Sequence, residues 1–233
     1  MGMAAFDTRA ALPLLLSLNA GFVDTAGFLA LQGLFTAHVT GNFVTLGASL
    51  ALGTSGAIAK LLALPVFCVV VIATRLLGTV LANRSLQAFE ILLGVKVLLL
   101  IAGAGLAIHF GPFRDGDSWQ AISTGMVLVA AMAVQNALHR VYLGSAPPST
   151  LMTGTTTQIM IDLADRIYMR TGESAQSPSR LVRMSTNILV FAIGCGAAAL
   201  LYARFNVWCF VLPPIVAILS LIVRLAGPSK TAS

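Results

Sequence analysis

Asp24 and Arg75 fall inside long apolar runs, where an isolated charge costs about 2.5–3.5 kcal/mol to insert. Asp24 lies near the middle of its run and Arg75 about five residues past the midpoint of another, a rise of roughly 7 Å that a guanidinium can reach across. This spacing predicts an embedded ion pair, either a structural lock between helices or a gated, proton-coupled pair beside a pathway. Asn19, His38, Thr40, Gly41, Asn42, Gln135, Asn136, Thr153 and Gly154 form a second group on and around the same runs. Asn, Gln and Thr in lipid either bind one another across helices or line a path for a polar solute. His38 has the titration range of a proton relay, and the end of an apolar run is also a common place for an interfacial histidine.

The two Thr-Gly steps have a physical role of their own. Glycine permits a helix break or a close backbone approach, and threonine can satisfy the groups that a break frees. If Gly41 and Gly154 begin short helices, their amides and positive dipole ends face one central region, which attracts an anion or carboxylate. Alternatively, the two glycines let helices pack closely.

Other chemistry is excluded or weak. Gly53-Thr54-Ser55-Gly56 matches the short pattern of intramembrane serine proteases, but neither His109 nor His139 sits in a partner context. The chain has no phosphate loop, dinucleotide fingerprint, His-Glu-x-x-His or haem-ligating pair, so neither an enzyme nor a cofactor is expected. Cys68, Cys195 and Cys209 lie in apolar runs without a Cys-x-x-Cys and are expected to be packing residues, with no metal site. Asp162 and Asp165, beside Arg166, offer too few oxygens for a divalent ion and are expected to be a solvated or ion-paired helix end. Glu90 and Lys96 fall on different faces of one helix, and Lys96 is the less comfortable of the two.

The elements that must position these groups are membrane helices. The chain is 58% hydrophobic and 9% charged, with a mean hydropathy of +0.92, far above a soluble domain. Eight hydrophobic segments, at about 12–33, 39–56, 57–82, 88–110, 119–143, 150–168, 182–203 and 207–225, carry no period-2 alternation. The expected fold is all-α, a polytopic membrane bundle forming one domain over 1–233. The first segment is expected to be retained, since no small-x-small cleavage pattern follows it. About 169–181 is expected to be a polar cytoplasmic linker.

A two-fold internal repeat is legible as Asn19-Ala20, Thr40-Gly41 and Leu50-Ala51 against Asn136-Ala137, Thr153-Gly154 and Leu163-Ala164. Repeat one covers about 12–110 and repeat two about 119–225. Segment six carries Thr153, Thr155, Thr156, Thr157, Gln158, Asp162 and Asp165, too polar to face lipid. About six full spans plus two short Thr-Gly helices are therefore expected, in preference to eight spans.

The net charge of +6 is spread over short loops, which points to orientation and away from nucleic acid. With eight spans, Arg9, Lys60, Arg114, Arg166, Arg170, Arg180, Arg183, Arg224 and Lys230 lie inside, and Arg84, Arg140 and Arg204 outside. With six, Lys60 and Arg114 exchange places with Arg84 and Arg140, so the excess is unchanged. Both topologies put both termini in the cytoplasm.

The run LNAGFVDTAGFLALQGLFTAHVTGNFVTLG, with AMAVQNALHR and LMTGTTTQIMIDLADR, resembles the YoaK-like family of bacterial membrane proteins (domain of unknown function 1275). The similarity covers roughly Leu12 to Leu225 and implies a small multi-helix protein of the bacterial inner membrane, without supplying a reaction. The expected function is a permease or channel for a small polar or anionic solute, with the lipid bilayer as its other partner. The competing expectation is a non-transporting accessory or structural membrane protein.

Overall fold

The computed structural model describes residues 8–144, 146–150, 152–168 and 178–227. Among them every regular element is helical: α1 (Thr8–Ala30), α2 (Asn42–Leu52), α3 (Ala57–Asn83), α4 (Ala88–Phe110), α5 (Trp119–Tyr142), α6 (Met152–Tyr168), α7 (Pro178–Phe205) and α8 (Leu212–Ala226). Short 3-10 segments at Val39–Gly41 and Asn206–Val211 lead into α2 and α8. Most of the linker expected at about 169–181 lies outside the described residues.

Among the described residues, five stretches are long and apolar enough to cross a membrane: 11–30, 57–83, 88–110, 119–142 and a 48-residue stretch, 179–226, that runs from α7 into α8. Local chemistry sets several boundaries. Ser118 caps α5 by accepting from the amide of Ala121. Gly53, at φ +65°, ends α2 in the left-handed conformation that favours glycine. The Asp117 carboxylate accepts from the amides of Gly56, Ala57 and Ile58 and so caps α3 from the linker between the halves. Pro213 and Pro214 sit at the start of α8, where their missing amides cost nothing.

α1 packs against α7 and α8, while α5 packs against α3 and α4. α1 and α7 cross at Gly21 and Gly194, where a Cβ on either would overlap the other helix's backbone. One core cluster joins Val23, Leu31, Leu34, Leu100, Leu128 and Phe210. A smaller one joins Leu12, Leu16, Phe89, Leu93, Val134 and Leu138.

The ends of the bundle are defined by contacts. At one end, Gln32 beyond α1 donates to the carbonyl of Phe113 beyond α4, and Ser55 before α3 accepts from the amide of Gly116 before α5. α1 therefore ends where α3 begins, and the chain through α2 leaves and re-enters the bundle at one end. At the opposite end, Arg224 of α8 pairs with Glu90 at the start of α4 at 2.8 Å and stacks over Phe89.

Candidate functional site

The Asp24 side chain is buried and does not take Arg75 as its partner. Its Oδ1 accepts from the amides of Thr36 (2.8 Å) and Ala37 (2.7 Å). Its Oδ2 lies 2.6 Å from His38 Nδ1, a distance at which a protonated Nδ1 donates to the carboxylate. The loop after α1 folds back along its own helix and so delivers these groups, which corrects the expected Asp24–Arg75 pair. Arg75 is exposed on α3, beside a small crevice with Leu92, Leu138 and Tyr142.

Asn42 closes the same loop. Its Oδ1 accepts from the Phe35 amide and its Nδ2 donates to the Phe35 carbonyl, both at 2.8 Å. This pairing consumes the groups expected to face a solute. Gly41 packs against the Phe35 ring. Thr40 is exposed, so it does not line the interior as expected.

The loop before α6 is held by amide side chains in place of a carboxylate. Gln135 Nε2 donates to the Leu16 carbonyl (2.9 Å) and to Ser149 Oγ (3.0 Å). Asn136 Oδ1 accepts from Thr150 Oγ1 at 2.6 Å. Asn187 of α7 donates to the Pro148 carbonyl and accepts from Ser17 of α1. The two loops meet where the Thr150 carbonyl interacts with the His38 imidazole, which Phe191 of α7 covers edge-on at 5.6 Å. Thr153 and Gly154 are exposed at the start of α6.

Sequence reasoning missed Ser17, Ser149, Thr150 and Asn187. The signal for Asn187 was present, as a lone amide in an apolar run. It also missed Lys60, which is buried and donates to Ser49 Oγ of α2 at 2.6 Å. Asp162 is buried and accepts from Gln158, where a solvated or ion-paired helix end was expected. Of the three cysteines, expected as packing residues, Cys209 is buried, Cys195 half-buried and Cys68 exposed.

Two features remain open to a ligand. Among the described residues, Asn19 Oδ1, Gln135 Oε1 and Lys96 Nζ are buried without a hydrogen-bond partner, as are His139 Nδ1 and Asp162 Oδ2, and Asn19, Gln135 and Lys96 are 0% exposed. Asn19 reaches the Pro213 carbonyl with its other amide atom. Asn19, Gln135 and Lys96 sit on α1, α5 and α4, which pack against one another and against α8 through the α1–α5, α4–α5, α1–α8 and α4–α8 contacts. The second feature is a cavity of about 500 Å³ at the start of α6, lined by Gly144, Ala146, Pro147, Pro148, Gly154, Thr155, Gln158, Arg180, Arg183 and Met184.

Apolar helices of spanning length around buried polar groups define a polytopic helical membrane protein. The chain belongs to the family described as "Protein of unknown function (DUF1275)", whose profile matches residues 12–223. It is 31% identical over 216 residues to the UPF0700 transmembrane protein YoaK of Bacillus subtilis (strain 168), covering 88% of this chain and 91% of that protein. No solved structure matches.

Proposed function

We propose that this membrane protein is a permease for a small polar or anionic solute rather than an enzyme. In this reading it is an inverted repeat of two three-span units, each with a re-entrant Thr-Gly helix. The 48-residue stretch through α7 and α8 would be about 72 Å long as one rod, more than twice the roughly 30 Å hydrocarbon core. Its bend at 206–211 and the Arg224–Glu90 pair support two crossings, and so six in all. The opposite directions of α1 and α5, and their exchanged partners, support the inverted repeat.

The described cations follow the positive-inside rule in this arrangement. Arg84, Arg140, Arg166, Arg180, Arg183 and Arg224 lie towards the end where α4 begins, against Lys60, Arg114 and Arg204 towards the other. That bias supports a cytoplasmic first end, and with it cytoplasmic termini, in a bacterial inner membrane.

The observation that carries the permease reading is the unpartnered set Asn19 Oδ1, Gln135 Oε1 and Lys96 Nζ on α1, α5 and α4. Buried polar atoms in native proteins are satisfied in the great majority of cases, so a set in the middle of apolar helices favours water or solute there. A second reading, a non-transporting scaffold, is favoured by the completeness of the Asp24, Asn42 and Asn136 bonds.

Flux separates the two readings. Proteoliposomes containing the full chain are expected to take up at least one member of a panel of small anions and polar solutes. Lys96→Met, which strands no hydrogen-bond partner, is expected to reduce that uptake about tenfold or more while leaving folded yield intact. Uptake equal to that of empty vesicles across the panel selects the scaffold.

A further inference from the structure

We infer that the cavity at the start of α6 binds an oxyanion of the phosphate or sulfate type, free or carried on a larger molecule. This deepens the permease reading and rests on it. Arg180 and Arg183 both line the cavity. Three positions apart on α7, they share a face, and among the described residues no carboxylate lies within ion-pairing distance of either. Guanidinium groups are suited to oxyanions because their planar donors match two oxygens at once.

The opposite wall supplies compatible groups. Gly154 in the first turn of α6 has open space where a Cβ would project, so backbone is exposed at the positive end of a 17-residue helix. Among the described residues the lining contains no acidic side chain. Among the described residues the acid nearest the lining in sequence, Asp162, lies one turn beyond Gln158 and accepts a hydrogen bond from it through Oδ1. The volume, about 500 Å³, lies within the roughly 300–1,000 Å³ of small-molecule sites.

The two halves differ in a way that points to an external anion. In the first, the chain brings its own carboxylate, Asp24, to the amides ahead of the short helix. In the second, the loop is held by the neutral amides Gln135 and Asn136, and the space beside the short helix is walled by arginines.

The test is direct binding by the full chain, purified in detergent and in phosphatidylcholine nanodiscs. Thermal unfolding is followed during titration with sodium phosphate, and with sodium chloride at matched ionic strength. Phosphate is expected to raise Tm with the logarithm of its concentration above Kd, by about 5 °C at about 100 times its Kd. Arg180→Gln/Arg183→Gln should lose the rise, whereas Arg204→Gln, at the other end of α7, should keep it. A parallel arm replaces part of the lipid with phosphatidylglycerol. A rise there that needs Arg180 and Arg183, without one from phosphate, retains the oxyanion site and makes a lipid headgroup its source. Wild-type protein with no response to either probe overturns the inference, whatever the variants do. Arginine-dependent binding without uptake in proteoliposomes leaves the site standing and removes the permease reading.

Discussion

Asp24 has the most consequential environment of any single residue here, since one carboxylate orders the chain that follows its own helix. Removing it strands the Thr36 and Ala37 amides as well as His38. Asp24→Ala is therefore expected to destabilise the protein by about 3 kcal/mol or more, because groups left buried and unpaired cost more than the bonds were worth. A double-mutant cycle of Asp24→Asn and His38→Gln, read by unfolding in mixed micelles, should give a coupling of about 1–3 kcal/mol. Arg75→Gln should change stability by less than about 0.5 kcal/mol, and a cycle pairing Asp24 with Arg75 should show no coupling. The reverse pattern would restore the ion pair that axial rise suggests. That an embedded Asp needs partners was legible from sequence, but their identity was not. Comparing depths treats helices as rods and is blind to a loop that folds back. Lys96 shows the same limit, since its discomfort was readable and its complete burial was not.

At the scale of elements, the apolar runs located each helix, because membrane crossing demands a continuous apolar length that no loop imitates. The boundaries moved where local chemistry intervenes. The run expected from about 207 becomes a 3-10 segment until Pro213 and Pro214 start α8, and α2 stops at Gly53 ahead of the expected segment end. What sequence could not distinguish was a glycine that packs from one that breaks a helix. Gly21 and Gly194 set the crossing of α1 and α7, whereas Gly154 meets nothing. Gly21→Leu should thus force the helices apart and lower stability by about 1–3 kcal/mol or more, with loss of monodisperse protein on size exclusion. Gly154→Ala should leave that elution profile unchanged. Equal tolerance of both substitutions would remove close packing as the reason for Gly21.

For the whole molecule, charge distribution is an argument for an orientation but is silent on span number, because exchanging Lys60 and Arg114 for Arg84 and Arg140 preserves the excess. Contact between chain ends discriminates where charge does not. Gln32 meets Phe113, and Ser55 meets Gly116, so the connections on either side of α2 lie at one end of the bundle. The proposed repeat rests on ordered dipeptides, and whether it is inverted or parallel depends on whether each unit crosses three times or four. Single cysteines in a background lacking Cys68, Cys195 and Cys209 decide this in intact cells. With six crossings, Thr54→Cys and Arg114→Cys should react with a membrane-impermeant maleimide added outside, and Arg84→Cys should react only after the membrane is opened. With eight crossings, the accessibilities of all three positions invert. Inversion would make α2 a full span and place the arrangement of chain ends, and the inverted repeat argued from it, in conflict with the membrane.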